Sequence, residues 1–470
     1  MAWWNRRQAE DQAWVYPTAV LCLYGFLSMM RPAEPFLVPF LTGPGKNLTV
    51  QEVSREIYPI WVYSNLFLLI PMFLLTDLFR YKPIVVLQAL AYVTCWLLFS
   101  FGSGLLSVQL SLFAYSVASA GDVGYFTYIY SVVGQEHYQR VTSYARAAVL
   151  FGYATASLLS QLLVSIWTTS LFTLNIITIT FLCAALLSSF FLPMPQRGVL
   201  SRETRSGTQA SIDLSSVDVD DDTRVAFPSW QKRFQRTFKG LGQVLRECME
   251  HYSSVAFLFF CIWFAMGKCG FYQVTGYVQI LWKLKQPSGN FTAYNGGVDA
   301  VATLSGAAAS IAMGHLPLNW SLWGELTLGL FSALGTASLY LMDLTGNIWV
   351  CYACYVLFKS VYMQLITMCT FQVAKGLSKE HYALVFGINT FVAMALQTLL
   401  TAVVLNTKGL QLSVITQYFI YATYFGVIAV IFLVRGVYCV CLAKSSQNGG
   451  VNQDDLTPES LSGIPGTSQI

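Results

Sequence analysis

An all-α fold made of many membrane-spanning helices is predicted by three observations. The chain is 55% hydrophobic and only 11% charged, against roughly 25% charged residues in soluble domains. Apolar stretches of about 20 residues, the length that crosses a hydrocarbon core, recur from Tyr16 to Arg435 with short polar gaps and one long one. These stretches are long and continuous, whereas a barrel would show alternating segments of about ten residues. The expected spans are 16–40, 57–78, 82–101, 106–133, 142–168 and 170–192, then 253–284, 295–315, 321–342, 347–372, 383–405 and 412–435. This is a six-plus-six arrangement in two bundles, 16–192 and 253–435, with no strong internal sequence repeat.

Orientation follows from the basic residues, which favour the cytoplasmic side of short loops. With both termini inside, 19 of the 27 Lys and Arg fall inside, five fall outside, and Arg31, Lys268 and Lys359 lie within spans. The sequons "NLT" at Asn47 and "NFT" at Asn290 both land in outer loops, which makes these asparagines the expected glycosylation sites. The N-terminus, 1–15, lacks the order of a cleavable signal. The polar part of segment 193–252, "SRETRSGTQASIDLSSVDVDDD", has the composition of disorder. Its end, "QKRFQRTFKGLGQVLRECMEHY", puts Phe234, Phe238, Leu241, Leu245 and Met249 on one stripe. That pattern reads as a helix lying on the inner leaflet or as a solvated linker helix. The tail, 436–470, is expected to be disordered.

Composition also removes function classes. Four histidines without a paired nucleophile and base, and no phosphate-binding glycine loop, argue against an enzyme or an ATP-driven pump. No cofactor or metal is called for, and a net charge of +4 gives no support for a nucleic-acid partner. The partners expected are the lipid bilayer and a small-molecule substrate. "CYAC" at Cys351 to Cys354 has zinc-like spacing but no second pair, so it reads as small helix filler. Cys439 and Cys441, just past the last span, are candidates for palmitoylation.

Ionisable residues inside spans carry the functional signal, because each costs a few kcal/mol unless it is paired or faces a wet cavity. They are Arg31, Glu34, Asp122, Lys268 and Lys359, in a chain rich in aromatics that include Tyr58, Trp61, Tyr63, Trp96, Tyr115, Tyr125, Tyr128, Tyr153 and Trp282. "MMRPAEPFLVPF", Met29 to Phe40, is the most unusual stretch, since Pro32, Pro35 and Pro39 each remove a backbone donor. Freed carbonyls are tolerated at membrane depth only where protein or water satisfies them. Such a break is expected to line a cavity and aim Glu34 at a cationic ligand.

The stretches "RPAEPF", "TDLFRYKPIVVLQ", "YIYSVVGQEHYQRV", "YNGGVDA", "NIWVCYACYVLFK" and "YALVFGINTF" closely resemble the vertebrate reduced-folate and thiamine transporter family. That resemblance implies a major-facilitator type fold of 12 transmembrane helices, alternating access, and a plasma-membrane location. Carried over by motif, Glu34 faces the substrate, Tyr58 and Trp61 of "EIYPIW" stack on a flat ring, and Trp96, Tyr115 and Tyr153 complete an aromatic enclosure. In the folate carrier, as the resemblance implies, a basic residue stands at Asp122 and a lysine at Gln397. The acid and the amide here suit an organic cation such as thiamine by charge matching, and aromatic faces attract such cations. The alternatives are a same-fold carrier for pyridoxine, a reduced folate or another organic anion, and a membrane sensor that does not transport.

Three positions depart from the family pattern. Leu112 of "SLFAY" replaces an acid, Lys268 of "FAMGKCGF" replaces a small neutral residue, and Gly276 of "TGYVQ" replaces an amide. A lost acid and a gained base weaken cation binding if both face the cavity. Alternatively, Lys268 pairs with a nearby acid or snorkels.

Overall fold

The computed structural model describes residues 14–78, 81–133, 137–194, 254–286, 293–315, 320–375, 382–405 and 412–448. The inner-leaflet helix expected before 252, the Asn290 sequon and both chain ends lie outside them. Among the described residues every regular element is a helix, and turns or coil join them. The long helices are α1 (Val15–Met29), α2 (Tyr58–Leu78), α3 (Lys82–Phe101), α4 (Gly104–Val132), α5 (Tyr138–Ser165) and α6 (Leu171–Phe190). They continue as α7 (Val255–Lys285), α8 (Asn295–His315), α9 (Trp320–Leu344), α10 (Ile348–Lys375), α11 (Tyr382–Leu405) and α12 (Val414–Asn448).

Ten of these, α3 to α12, contain a described stretch long and apolar enough to cross a bilayer. The other two expected spans correspond to α2, which carries Pro71, and to α1, which is only 15 residues long. The first expected span is therefore not one helix. α1 stops at Met29, and a 3-10 turn at Glu34–Phe36 and a short helix at Leu37–Leu41 follow. α12 runs 13 residues past the expected span end, to Asn448; at that end Arg435 Nε donates to Glu325 Oε2 of α9 at 3.1 Å, and Cys439 Sγ, within the extension, donates to the same oxygen at 3.2 Å. Large apolar side chains face outward on many helices, with Phe67 75% and Val434 67% exposed. In water such a surface would aggregate, so these faces meet lipid.

The chain divides into two compact units. The first holds residues 1–33, 63–156 and 169–246, and the second holds 34–62, 157–168 and 247–470. In the first unit α3 packs on α4 and α6, and α6 also packs on α1. α3 starts with Pro83 in its first turn, where a missing N–H costs nothing, and α6 is capped by Ser170, whose hydroxyl accepts the Thr173 N–H at 3.2 Å. α3 and α4 approach closely because a Cβ on Gly124 would stand only 2.7 Å from Ile84. Tyr24, Tyr125 and Tyr128 fill the core beside Val85 and Ala145. Their hydroxyls donate to Gln88 Oε1, the Leu21 carbonyl and the Pro193 carbonyl at 2.8, 3.3 and 2.8 Å.

In the second unit α9 packs on α12 and α10, α8 on α10, and α7 on α10, α11 and α12. Gly329 and Gly436 let α9 and α12 touch backbone to backbone. A Cβ on either would meet Leu433 or Leu326 backbone nitrogen at 2.6 or 2.5 Å. Lys285, at the end of α7, donates to the Met342, Asp343 and Thr345 carbonyls at 2.6, 2.5 and 2.7 Å. A cation there satisfies the orphan carbonyls at the C-terminus of α9 and opposes its dipole. The chain between the helix break and α2 carries Asn47, exposed and at φ +53°, in the left-handed region that asparagine tolerates. Next to it Thr49 and Glu52 form a reciprocal capping box that holds the Glu52 carboxyl below its ordinary range.

Candidate substrate site

The backbone groups freed by the proline-rich break have identifiable partners. Arg31 N–H reaches the Met29 carbonyl at 2.8 Å, and Ala33 N–H donates to Thr178 Oγ1 of α6 at 3.1 Å. In the second unit, Gln279 of α7 accepts the Val38 N–H at 3.2 Å and donates to the Glu34 carbonyl at 3.0 Å. Asn295, the first residue of α8, donates to the Pro35 carbonyl at 3.1 Å while its own Oδ1 accepts from Tyr352 at 3.2 Å. Two side-chain amides thus replace the helical bonds that the prolines remove. The cost of the break is offset by fixing the backbone of Glu34, whose side chain is half-buried.

Tyr58 and Trp61 open α2 on the same unit. Tyr58 packs on Tyr277 with centroids 5.6 Å apart and lies within electrostatic reach of Glu34. Trp61 meets the edge of Tyr272 at 6.4 Å. Gly276 lies across from Trp61, and a Cβ placed there would find nothing nearer than a Trp61 ring carbon at 3.9 Å. One helix face organises these contacts, because Lys268, Tyr272, Gly276 and Gln279 recur every three or four residues on α7 and are all half-buried. The Lys268 ammonium donates to Thr390 Oγ1 of α11 at 2.9 Å and stands over the rings of Phe264 and Tyr272 at 5.3 and 5.7 Å. Gln397, also on α11, is 3% exposed. Its carbonyl accepts from Gln273, and among the described residues its Nε2 finds no hydrogen-bond acceptor.

The remaining predicted residues belong to the first unit. Tyr115 is engaged by a cation from its own chain. Arg31, 4% exposed, lies over Tyr92 and Tyr115 at 4.8 and 5.5 Å and donates to the Tyr115 hydroxyl at 3.3 Å. This contact holds the buried guanidinium by ring electrostatics and a hydrogen bond. Asp122 accepts from Gln88 Nε2 at 2.6 Å, and the Tyr24 hydroxyl donates to the other end of that amide. Trp96 is buried against Phe99, and its ring N–H has no acceptor among the described residues. Tyr153 is half-buried on α5. Leu112, the replaced acid, is 5% exposed and packed within the unit, one turn before Tyr115.

Other aromatics sort by place. Trp282 is core, edge-on to Tyr352 and Tyr355 at 5.0 Å each, and Tyr63 is exposed. Sequence reasoning missed Gln279, Asn295, Tyr272 and Tyr277, although the four-residue recurrence of polar and aromatic positions on α7 signalled the first and third. It also missed Asp299, the acid that pairs with Lys359.

The sequence profile described as reduced folate carrier matches residues 12–420. Human thiamine transporter 1 is 46% identical over 455 residues, covering 92% of this chain and 92% of that protein. Human thiamine transporter 2 is 43% identical over 486 residues, covering 97% and 98%. The human reduced folate transporter is 37% identical over 429 residues, covering 90% and 72%. Among solved structures, the POT family transporter PepTSo superposes with a TM-score of 0.62 at 12% identity, covering 91% and 98%. A bacterial homologue of the lysosomal transporter Spinster gives 0.55 at 13%, covering 92% and 97%. Likeness at that identity bears on the fold alone, which is of the major-facilitator type. By profile, relatives and fold together, this chain is a multi-pass membrane transporter that belongs to the reduced folate carrier family.

Proposed function

We propose that this transporter carries thiamine into cells across the plasma membrane by alternating access. The observation that supports this most is the segment Glu34–Trp61, which sets a carboxylate on a pinned helix break together with Tyr58 and Trp61. A half-buried acid beside aromatic faces suits a flat ring system bearing a permanent positive charge. The relatives named thiamine transporters are the more similar ones, at 46% and 43% identity. We assign substrate contact first to Glu34, Tyr58 and Trp61, and then to Trp96, Tyr153 and Gln397. Tyr115 and Asp122 are placed last, because Arg31 and Gln88 already engage them. Entry of one positive charge gains about 2.3 kcal/mol per 100 mV of inside-negative potential.

The test is uptake of radiolabelled thiamine, pyridoxine and a reduced folate in cells lacking their own carriers. Saturable thiamine uptake that exceeds the other two is expected. Uptake of the folate alone would replace this reading with the anion carrier that Lys268 favours and that the 37% identical reduced folate transporter represents. Orientation has its own test, since both termini and segment 193–252 are proposed to face the cytoplasm and Asn47 and Asn290 the exterior. An epitope tag inserted in the 193–252 segment should bind antibody only after permeabilisation, and labelling of intact cells would reverse the topology.

A further inference from the structure

Resting on the alternating-access reading, we propose that the seam between the last turns of α5 and the first turn of α8 is the lock of the outer mouth, made in this state and broken once in every transport cycle. The division of α5 carries the argument. Its residues through Ala156 belong to the first unit, while Ser157–Thr168 belong to the second. α5 is nevertheless one continuous helix, Tyr138–Ser165, with no proline to hinge it. When bundles rock as rigid bodies, the last turns of α5 move with the rest of the helix, so the seam is what must part. The segment 34–62 is set into the second unit in the same way and at the same end, where Asn295 of α8 holds the Pro35 carbonyl.

The seam is built for close approach and for release. The first N–H groups of α8 have no partner within the helix, and Tyr294, just before it, is not a capping residue type. Gln161 of α5 supplies the cap instead. Its Oε1 accepts the Gly297 N–H at 3.0 Å, and its Nε2 donates to the Ala293 carbonyl at 3.2 Å and to Ser165 Oγ at 2.7 Å. Gly296 brings the backbones together, since a Cβ there would stand 2.5 Å from Ser160 Oγ and 2.6 Å from the Ser157 carbonyl. Ser157 and Ser160 are 1% and 0% exposed, so the contact excludes water. Its bonds are polar, and polar groups that part regain water at small net cost. The Ser157 hydroxyl has no hydrogen-bond partner among the described residues, so opening hydrates a group that closure leaves unsatisfied. The seam of α9 and α12 is the contrast, because Gly329 and Gly436 there meet leucines inside one unit.

The first test closes the lock covalently in the full chain, with Gln161→Cys and Gly297→Cys combined. The Gln161 Cγ, whose place the new sulfur takes, stands 3.4 Å from a Cβ built on Gly297, within reach of a disulfide. After oxidation, cleavage at a protease site inserted in segment 193–252 should leave the two fragments joined on a non-reducing gel. Uptake of labelled thiamine should fall at least tenfold and return on reduction, whereas each single variant should be indifferent to the oxidant. Undiminished uptake by fully cross-linked protein, or no cross-link at all, overturns the lock. The second test needs no substrate. An impermeant maleimide added outside intact cells should label Ser157→Cys above the wild-type background, and adding Gly296→Leu should raise that rate at least tenfold by wedging the seam apart. Equal rates overturn the lock, and if the leucine variant fails to reach the surface the cross-link decides. If wild type takes up no thiamine, the thiamine reading fails by itself, and the labelling still decides the lock.

Discussion

Glu34→Gln at matched surface expression is expected to reduce thiamine uptake on the order of 30-fold or more. Removing one partner of a desolvated charge pair costs roughly 2–5 kcal/mol, and each 1.4 kcal/mol is about a factor of ten. Glutamine keeps the size and the hydrogen-bonding capacity of the side chain. The pinning of the break also runs through the Glu34 carbonyl and the Pro35 carbonyl rather than through the carboxylate. The variant should therefore reach the membrane in normal amounts. A saturable uptake equal to wild type would remove Glu34 from the substrate contacts. A variant that is retained inside the cell would instead assign the carboxylate to holding the break together.

The largest effect on stability is expected at Lys359. Its ammonium meets Asp299 Oδ1 at 3.1 Å with side chains only 6% and 7% exposed, and the Tyr355 hydroxyl donates to the same oxygen at 3.3 Å. Lys359→Met strands a carboxylate among α8 and α10, a loss of about 3–5 kcal/mol for a buried pair broken on one side. The double variant Asp299→Asn with Lys359→Met removes both charges and should recover most of that loss, because the pair had to be desolvated in the first place. Thermal melting of the detergent-purified protein and its surface abundance provide the measurements. Single variants as stable as wild type, or a double variant whose loss equals the sum of the two singles, would show that the pair does not stabilise the unit.

Both predictions turn on residues whose meaning was unevenly legible from the chain alone. Lys359 was recognisable as a charge inside an apolar run, but Asp299 was not, because "YNGGVDA" sits at the polar start of its helix. Pairing was settled only when α8 lay against α10. Arg31 and Tyr115 show the same limit. Each was a visible anomaly or a candidate in its own segment, yet the distance between a residue near 31 and one near 115 is a property of packing. The contact turned an expected substrate ring into the seat of an internal cation. The fate of Leu112 was equally hidden, since sequence position does not say which face of α4 is buried.

What the sequence by itself determined is what depends on local composition and period. It set the helical membrane class, the approximate bounds of the apolar runs and the break at Pro32, Pro35 and Pro39. It also marked the charges that stand out against a hydrocarbon solvent. These follow because insertion energy and proline chemistry act residue by residue. Only the tertiary structure decided who satisfies the freed backbone groups, Gln279 and Asn295, and that the α7 face bearing Tyr272 and Gly276 is the one that meets Trp61. Those outcomes depend on which helices meet and at what rotation, and that is set by side-chain packing between segments more than 200 residues apart.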